Sequence, residues 1–374
     1  MDLSKAFDCL PHDLLLAKLE AYGFDINTLK LFQSYLNKRR QFVSIHGIMS
    51  DILEILSGVP QGSILGPILF NIFLNDLLYH IKSTNTHNYA DDNALSAAAK
   101  TVAKVIELLE TGGEEALSWL NNNFMFANLD KFQAIISRKD KKDTNGLEIR
   151  IGNQVIKTKE NVIQLGIDID HKLSYDLYLS DLMKKASTKL NALKRMGKFL
   201  SQSQRTSLCY SYVISYFNYC SLVWHFGSVS NIHATEKLHE RAIRFIYNDY
   251  ETDYFQILKE RNLCTLYSDR LRSMCCEIFK AKKCISSAYM NDLINERPSN
   301  YHSRLGLNLY VPKVNQITFG YKSFSVIAPK IWNSIPTSLK TSKTYSDFQM
   351  NIKKINLPWC VCNKCCLNQG IKIS

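Results

Sequence analysis

The spacing of apolar residues divides the chain into a mixed first part and a helical second part. Apolar residues three and four positions apart predict helices at six places: from about His12, over Ile26–Leu36, from Ser63 to about Tyr79, over Val102–Leu120, from about Tyr178, and over Ala234–Asn248. The apolar face of the helix after Tyr178 is predicted to consist of Leu179, Leu182, Ala186, Leu190 and Leu193. From about residue 175 the pattern is helical throughout, so we expect a boundary there.

Strand patterns precede that boundary. Apolar and alternating runs within residues 41–56 predict a β-hairpin. Gly152-Asn153 lies between two short apolar runs and predicts a two-residue hairpin turn within residues 147–156. Residues 124–137 also alternate, and the charged residues 138–146 that follow predict a surface loop. We therefore expect an α+β fold followed by a helical region.

The composition indicates a folded protein with an anionic partner. Hydrophobic residues make up 46% of the chain, with 19 Tyr and 18 Phe, which predicts a packed core rather than disorder. The formal net charge is +12. Nucleic acid is the first partner that this charge suggests, because phosphates neutralise a basic surface. A soluble protein that is merely basic is the alternative, and charge alone does not separate the two.

No secretory or membrane segment is evident. The first eight residues, MDLSKAFD, contain two acids and no apolar core, unlike a signal peptide. The most apolar stretch, Ile64–Leu78, includes Asn71 and Asp76 and is too short to cross a bilayer. We therefore expect an intracellular protein, nuclear or cytoplasmic, whose 11 cysteines are reduced. The seven cysteines between Cys9 and Cys284 are expected to be small buried apolar residues.

Four further cysteines crowd the C-terminus: Cys360, Cys362, Cys365 and Cys366. Structural zinc sites usually draw their ligands from two separated pairs, and these four thiols lie within seven residues. We expect exposed, reduced thiols there, with a Zn²⁺ site as the alternative.

Three carboxylates and a glycine loop carry the chemistry that the sequence predicts. Asp2 lies at the end of a predicted strand, and Asp91 and Asp92 lie at a predicted turn, 91 − 2 = 89 residues later. The loop Gly58–Gly62 lies between them. Nucleotidyl transfer uses two divalent metals about 3.5–4 Å apart, bound by carboxylates that converge from neighbouring strands. A strand end with one Asp beside a hairpin tip with two supplies that geometry.

Each feature has an ordinary structural explanation when it is taken alone. Asp-Asp pairs are common in solvated turns, and glycine loops commonly precede helices. A lone Asp at residue 2 predicts nothing by itself. The order and the spacing of the features are what favour a polymerase site.

The sequence resembles the reverse transcriptases of LINE-type (non-LTR) retrotransposons. Three segments carry the resemblance: Asp2–Asp8 with Leu10-Pro11-His12-Asp13, Ser57–Ser63 with Leu65-Gly66-Pro67, and Tyr89-Ala90-Asp91-Asp92. They resemble the family's first catalytic motif, its dNTP- and template-contacting motif and its catalytic hairpin, in the family's order. Weaker resemblances continue downstream at Asn128–Lys131, Leu165–Ile167, Asn218–Cys220 with Trp224, and Trp332–Pro336.

The resemblance implies a fold and an activity. It implies a polymerase palm with an antiparallel catalytic sheet over residues 1–170, a helical thumb over residues 171–250 and a helical C-terminal region over residues 251–374. It implies RNA-directed DNA synthesis by nucleotidyl transfer, with an RNA template, a DNA primer, dNTP substrates and two Mg²⁺ ions. Asp2, Asp91 and Asp92 would bind these ions.

The resemblance also implies how substrates are held. Phe7 would lie under the sugar of the incoming nucleotide, where its ring excludes a 2′-hydroxyl. Gln61 and Gly62 would line the nucleotide and template site, since glycine permits close approach. Tyr89 would support the primer end. Lys131 would stabilise phosphate charge, with an ordinary solvated lysine as the alternative.

A lysine-rich helix in the second part is the implied contact with the nucleic-acid backbone. Its residues are Lys184, Lys185, Lys189, Lys194 and Arg195. No acid interrupts them, which favours phosphate binding, although a solvated helix face has the same pattern.

The resemblance leads to an expectation about the N-terminus as well. The family places a fingers subdomain, which holds the triphosphate, ahead of the first motif, whereas this sequence begins within that motif. We therefore expect an N-terminally truncated reverse transcriptase, from a shortened gene model or a decayed insertion, that binds nucleotide poorly. The alternative function is a non-catalytic nucleic-acid-binding remnant. An intron-encoded polymerase is a third reading, which Pro11-His12-Asp13 disfavours.

Overall fold

The computed structural model describes Leu3 and residues 6–140, 142–224, 227–294, 307–314, 320, 323–355 and 357. Contacts along the chain divide it into two units, residues 1–166 and residues 167–374. No helix within the described ranges is long and apolar enough to cross a membrane.

The first unit mixes helices with short strands. Its helices are α1 (His12–Ala21), α2 (Ile26–Leu36), α3 (Leu65–Leu74), α4 (Leu77–His80) and α5 (Val102–Asn122), with a 3-10 turn at Leu129–Lys131. Its strands are β1 (Arg40–Gln41), β2 (Ser44–Ile45), β3 (Ile48–Met49), β4 (Leu53–Glu54), β5 (Asn85–Tyr89), β6 (Asp92–Ser96), β7 (Glu148–Ile151), β8 (Gln154–Lys157) and β9 (Asn161–Gln164). Antiparallel ladders join β1 to β4, β2 to β3, β5 to β6 and β7 to β8. The predicted mixture of helix and strand is confirmed.

The second unit is mostly helical. It contains the strand β10 (Ile167–Asp170). Its helices are α6 (Asp176–Met196), α7 (Gln202–Cys209), α8 (Ser215–Asn218), α9 (Ser221–Trp224), α10 (Val229–Tyr247), α11 (Tyr254–Glu260), α12 (Leu266–Lys282), α13 (Ala288–Asp292), α14 (Phe324–Ser334), α15 (Thr337–Lys340) and α16 (Tyr345–Ile352). A 3-10 turn (Gly197–Phe199) follows α6, and a π-helical turn (Tyr210–Ile214) lies between α7 and α8.

The main core of the first unit lies between α1, α3 and α5. Phe70 and Phe73 of α3 are fully buried, and Trp119 of α5 packs edge-on against Phe73, with the ring centroids 6.2 Å apart. Each large apolar side chain buried in this way contributes about 1.5–3 kcal/mol of burial free energy. The core therefore fixes the three helices that support the motif-bearing loops.

Two adjacent glycines let α5 approach its neighbours on two sides. A Cβ on Gly112 would lie 2.5 Å from the Thr84 side chain, and a Cβ on Gly113 would lie 2.6 Å from Ile151. A glycine within a helix costs roughly 1 kcal/mol relative to alanine. The close packing of α5 against Thr84, next to β5, and against Ile151 of β7 offsets that cost.

The second unit contains two cores, and the weaker sequence motifs anchor them. One core gathers apolar residues of α6, α7, α10 and α11, and the other gathers those of α12, α14 and α16. The indole N–H of Trp224 donates to the Tyr219 carbonyl at 2.9 Å, and that of Trp332 donates to the Leu307 carbonyl at 2.8 Å. Asn333 donates to and accepts from the backbone of Leu309. These motif residues therefore hold loops against the helices.

Most of the predicted helices are confirmed. Residues 26–36 and 102–120 are helical, and α6 buries Leu179, Leu182, Ala186 and Leu190 on one face. The predicted hairpin at Gly152-Asn153 is present as β7 and β8.

Two predictions were wrong in detail. The helix expected up to Tyr79 ends at Leu74, because Lys18 donates to the Phe73 carbonyl and to Asp76 at the break before α4. Residues 124–137 form no strand. Among the described residues, two isolated β-bridges involve this segment: Ala127 pairs with Leu3, and Ala134 pairs with Thr158. The hairpin predicted within residues 41–56 is present, and its ladder is interrupted: β1 pairs with β4, and β2 pairs with β3 nearer the turn.

The cysteines are only partly buried. Cys209, Cys275 and Cys276 are buried as expected, whereas Cys220 and Cys284 are exposed at the ends of helices, where both have positive φ angles. The cysteines of residues 360–366 lie outside the described residues. The structure therefore leaves the expectation about zinc untested.

Candidate active site

Two loops of the first unit, residues 7–12 and 57–61, are joined by a dense set of hydrogen bonds and are called the loop pair below. The Gly58 amide donates to the Leu10 carbonyl at 2.7 Å, and the Val59 amide donates to the Phe7 carbonyl at 2.9 Å. Nε2 of the buried His12 lies 2.8 Å from the Gly58 carbonyl oxygen. Two segments that lie about 50 positions apart in the sequence therefore form one polar unit.

Gly58 is required at the centre of the loop pair. Its φ of +86° lies in the left-handed region, and an added Cβ would lie 2.7–2.8 Å from backbone atoms of Asp8. Backbone atoms cannot rotate away as a side chain can, so every other residue type would push the loops apart.

The loop pair also orients Gln61. Its Nε2 donates to Oδ1 of Asp8 at 3.0 Å, and Oγ of Ser57 donates to the Asp8 carbonyl at 2.9 Å. The next residue, Gly62, also has a positive φ, +82°, but an added Cβ there would meet nothing within 4 Å. The two residues predicted to line a nucleotide site thus stand at the edge of the loop pair, and Gly62 faces open space.

Phe7, predicted to lie under the nucleotide sugar, is half-buried. Its ring stacks on Phe70 of α3, with centroids 4.5 Å apart and an angle of 28° between the planes. The buried Phe70 therefore fixes the ring of Phe7 from one side.

Two of the three predicted catalytic carboxylates, Asp91 and Asp92, lie at the tip of the hairpin formed by β5 and β6. Ala90, with φ of +51°, makes the turn, Asp91 follows it, and Asp92 begins β6 opposite Tyr89. Asp92 and Tyr89 are exposed, Tyr89 to 69%. Among the residues that the structure describes, neither carboxylate accepts a hydrogen bond or forms an ion pair. Two adjacent acids without a protein partner repel each other, and a bound cation would relieve that repulsion.

The buried side of the hairpin fixes the tip. Asn93 is buried, and its Nδ2 donates to the Asp91 carbonyl at 3.1 Å, which ties the turn to the start of β6. The strand β5 is held at its base by Glu115 of α5, whose carboxylate accepts from the backbone amides of Lys82 and Ser83. Partial burial of Glu115 opposes these bonds, but together they lower the pKa of its carboxyl below the ordinary value.

A cleft of about 600 Å³ lies beside the hairpin. Asp92 and Asn93 form one wall, and the 3-10 turn with Asp130 and Lys131 forms another. The structure therefore brings Lys131, predicted to meet phosphates, to the same cleft as one of the predicted metal ligands. Carboxylate and amide oxygens with a lysine nearby are groups suited to a Mg²⁺-bound phosphate.

Asp2, the first predicted ligand, lies outside the described residues. Its neighbour Leu3 is buried and pairs with Ala127 through an antiparallel bridge. Within the described part of the chain, no three His, Cys, Asp or Glu side chains form a possible metal site. The predicted meeting of three carboxylates therefore remains a prediction.

The predicted basic residues of the second unit all lie on α6. Lys184, Lys185, Lys189 and Arg195 are exposed, and Lys194 is half-buried.

Asp8 and His12 belong to the first motif, but the sequence pattern predicted no role for them. Both hold the second motif in place, Asp8 through Gln61 and His12 through Gly58. Their nearness in the sequence to Phe7 was the available signal. Their partners, a backbone carbonyl and an amide about 50 residues away, could not be predicted from the pattern.

The comparison with known families identifies the unit that carries these motifs. Residues 1–169 match the family model described as "Reverse transcriptase (RNA-dependent DNA polymerase)". Residues 1–169 are a reverse transcriptase domain. The resemblance to reverse transcriptases, inferred from three motifs, is thereby confirmed.

Known proteins with similar sequences extend the match beyond this reverse transcriptase domain. The "RNA-directed DNA polymerase from mobile element jockey" of Drosophila melanogaster is 26% identical over 215 residues, which is 56% of this chain and 23% of that protein. The "Probable RNA-directed DNA polymerase from transposon BS" of the same organism is 24% identical over 295 residues, 73% of this chain and 32% of that protein. The corresponding protein of its transposon X-element is 22% identical over 315 residues, 82% of this chain and 32% of that protein. The chain thus spans between about a quarter and a third of the length of these curated relatives.

Proposed function

We propose that the chain is the polymerase part of a non-LTR retrotransposon reverse transcriptase and that it copies RNA into DNA. The observation that carries the proposal is the pair of unpartnered carboxylates, Asp91 and Asp92, at the tip of a hairpin inside a reverse transcriptase domain. The names of the similar proteins, RNA-directed DNA polymerases of mobile elements, support the same substrates. These are an RNA template, a DNA primer and dNTPs.

In the proposed reaction, Asp91 and Asp92, together with Asp2, hold two Mg²⁺ ions. When bound, the ions lower the pKa of the primer 3′-hydroxyl and neutralise charge on the triphosphate. Asp92 and Lys131 line one cleft, so the lysine is placed to stabilise phosphate charge beside the carboxylate. Tyr89, opposite Asp92 in the ladder, supports the primer end.

The loop pair positions the nucleotide in this proposal. Asp8 orients Gln61 toward the nucleotide and template, and the open space at Gly62 admits the substrate backbone. Phe7, fixed by its stack on Phe70, lies under the sugar and selects dNTP by excluding a 2′-hydroxyl.

We assign the palm to residues 1–170, the thumb to residues 171–250 and a C-terminal helical region to residues 251–374. The division of the chain after residue 166 supports the first boundary. The two cores of the second unit support a second boundary, but the first core extends to Leu266, beyond residue 250. The cations of α6, which are Lys184, Lys185, Lys189, Lys194 and Arg195, then contact the nucleic-acid backbone.

Primer extension on an RNA template tests the proposal. The native chain is expected to extend a DNA primer with dNTPs only when Mg²⁺ is present, and Asp91→Asn is expected to reduce the rate by about 10³-fold or more, because a carboxylate ligand is lost. Asp51→Asn removes an exposed carboxylate elsewhere in the same unit and is expected to leave the rate unchanged. Thermal unfolding of all three proteins shows whether each is folded.

Magnesium binding provides a second readout. Mg²⁺ is expected to raise the Tm of the native chain and of Asp51→Asn, but not that of Asp91→Asn. A folded native chain that shows neither extension nor a Mg²⁺-dependent Tm contradicts the proposal. Retained binding of nucleic acid in that case favours the non-catalytic remnant.

A further inference from the structure

Arg241 of α10 connects two helices of the second unit without meeting an acid. Its guanidinium donates to Oδ1 of Asn191 at 3.2 Å and to Oγ of Ser187 at 3.5 Å, both on α6. Among the described residues, no carboxylate lies within ion-pair distance of it. Neutral acceptors orient this cation and leave its charge uncompensated.

A second cation follows Asn191, the acceptor of Arg241, by about one turn of α6. Lys194 of α6 is half-buried, and burial, followed by the positive charge of Arg241, lowers the pKa of its ammonium group. Two cations held this close repel each other unless an anion lies between them. Lys237, one turn before Arg241 on α10, adds a third charge on that side.

The periodicity of α6 places two further cations on the side of the helix that faces Arg241. At about 100° per residue, Lys184 and Arg195 point within about 60° of the direction that Ser187 and Asn191 share. Lys185 and Lys189 point roughly 140–180° away from that direction. We call Lys184, Lys194, Arg195, Lys237 and Arg241 the basic face.

Asp181, an exposed acid of α6, precedes Lys184 by one turn, whereas two other acids of the two helices have partners elsewhere. Asp176, at the start of α6, accepts a hydrogen bond from Nδ2 of Asn231 at 2.6 Å. Glu240 of α10 forms an ion pair with Arg244 at 2.8 Å. These two acids of the two helices thus already have partners.

An exposed aromatic ring ends the basic face. Phe199, in the turn after α6, is 77% exposed, and Nζ of Lys198 lies 4.9 Å from its ring centroid. Gly197 brings this turn onto α10, because a Cβ there would lie 2.8 Å from the ring of Phe245, one turn beyond Arg241. Cations beside an exposed ring are the combination that binds unpaired nucleic-acid strands, whose phosphates meet the charges and whose bases stack on the ring.

We propose that the basic face and Phe199 bind an unpaired nucleic-acid strand, with Arg241 and Lys194 gripping one phosphate between them and Phe199 stacking on a base. This proposal extends the proposed function. It rests on that function only for the choice of nucleic acid as the partner. It adds residues of α10 and of the turn after α6 to the contact, and it assigns them an unpaired strand.

Equilibrium binding without catalysis tests the proposal. The probe is a fluorescent single-stranded RNA oligonucleotide, titrated with the full chain in EDTA without dNTPs and followed by anisotropy at several salt concentrations. Arg241→Gln, which can still bond Asn191, is expected to weaken binding about fivefold and to reduce the slope of log K against log salt by about 0.7, the loss of one phosphate contact. Phe199→Ala is expected to weaken binding by a similar factor with the slope unchanged.

Three controls isolate these effects. Arg241→Lys retains the charge and is expected to restore the salt slope. Lys259→Gln removes an exposed charge on α11 and is expected to bind like the native chain. The double variant Lys185→Gln/Lys189→Gln tests the opposite side of α6. If that double variant weakens binding more than Arg241→Gln combined with Lys194→Gln, the basic face is not the binding surface and the proposal is overturned.

A duplex arm tests the choice of ligand. The same sequence as a blunt duplex is expected to bind more weakly and to be insensitive to Phe199→Ala. Equal affinity for both forms, or no effect of Phe199→Ala on the single strand, overturns the proposal. Because these assays contain no Mg²⁺ or dNTP, they can fail while primer extension succeeds, and the reverse, so the two proposals are tested separately.

Discussion

The loop pair in the first unit and a buried network in the second unit both keep polar groups away from water, by opposite means. In the loop pair, backbone amides and carbonyls meet at 2.7–2.9 Å, and a glycine allows the approach. The buried network consists of ionisable side chains: Glu236, His239, Tyr254 and Arg270. The loop pair depends on the absence of a side chain at Gly58, and the buried network depends on which of its side chains carry charge.

Burial determines which side chains of the network are charged, and short contacts join them. The Tyr254 hydroxyl lies 2.7 Å from Nδ1 of His239 and donates to Glu236 at 3.3 Å. Burial raises the pKa of Glu236 to about 7 and lowers that of His239 to about 3. Between these values both groups are neutral, so their separation of 3.9 Å is not an ion pair. Burial also lowers the pKa of Arg270, which donates to the Phe217 carbonyl.

This difference determines which substitutions destabilise each region. A methyl group is enough to disrupt the loop pair, because no space remains beside Gly58. The buried network is sensitive to charge as well, because burial penalises the charged forms of Glu236 and His239 and keeps both groups neutral. The following three variants test that distinction, in order of decreasing effect.

Gly58→Ala is expected to have the largest effect. The added methyl meets Asp8 backbone atoms at 2.7–2.8 Å, and the positive φ is unfavourable for alanine. We expect the free energy of unfolding to fall by about 3–4 kcal/mol, measured by urea denaturation. Primer extension is expected to fall as well, because the loop carrying Gln61 moves.

Gly62→Ala is the matched control. Its φ of +82° is nearly the same, but an added Cβ there meets nothing within 4 Å. Only the backbone strain remains, which corresponds to about 1 kcal/mol. Equal losses for the two variants would show that φ, and not the close approach to Asp8, determines the stability of the loop pair.

The two regions also differ in how far the sequence predicts them. Helices α2, α5 and α6 follow the apolar spacing closely, because burial of one face determines where a helix can lie. The hairpin tip at Asp91-Asp92 was predicted because turn residues act locally. The break between α3 and α4 was not predicted, since the contact made there, from Lys18 to the Phe73 carbonyl, comes from a distant helix.

The polar contacts were the least predictable part. Glu236 occupies a position in α10 that reads as an ordinary polar helix residue, and only packing against α11 and α12 buries it beside Tyr254 and the Tyr267 amide. His12 looked like part of a motif, and its partner is a backbone carbonyl. Sequence patterns show which residues are apolar, but the partner of a buried polar group depends on the tertiary fold.

Arg270→Met tests the charged side of the comparison. Methionine retains most of the apolar volume but removes the donors to the Phe217 carbonyl and to Asn218. We expect a loss of about 2–3 kcal/mol in the free energy of unfolding, because the carbonyl of the buried Phe217 loses its partner. Arg261→Met, at an exposed position after α11 where the guanidinium lies 5.0 Å from the Tyr247 ring centroid, is expected to change stability by no more than about 1 kcal/mol. Similar effects in both variants would mean that loss of charge alone, rather than loss of buried contacts, causes the change.

Glu236→Gln is expected to have the smallest effect and to show it only at higher pH. In the folded chain Glu236 keeps its proton up to a pKa of about 7, whereas an unfolded carboxyl releases it near the ordinary value of 4.5. The folded state therefore binds more protons between these values, and the stability of the native chain falls as pH rises through this window. Glutamine has no such proton to lose. It retains an oxygen that can accept from the Tyr267 amide.

The native chain and the Glu236→Gln variant should therefore diverge as pH increases. We expect the variant to gain about 2 kcal/mol relative to the native chain between pH 5 and pH 8, measured as the difference in free energy of unfolding at each pH. His239 has the opposite dependence: its pKa is lowered, so stability is lost as pH falls below its ordinary value of 6.5. Because His239 is present in both proteins, its contribution cancels in the difference. A constant difference across this pH range would mean that Glu236 is already ionised in the folded chain, and the contrast between a region governed by space and one governed by protons would be wrong.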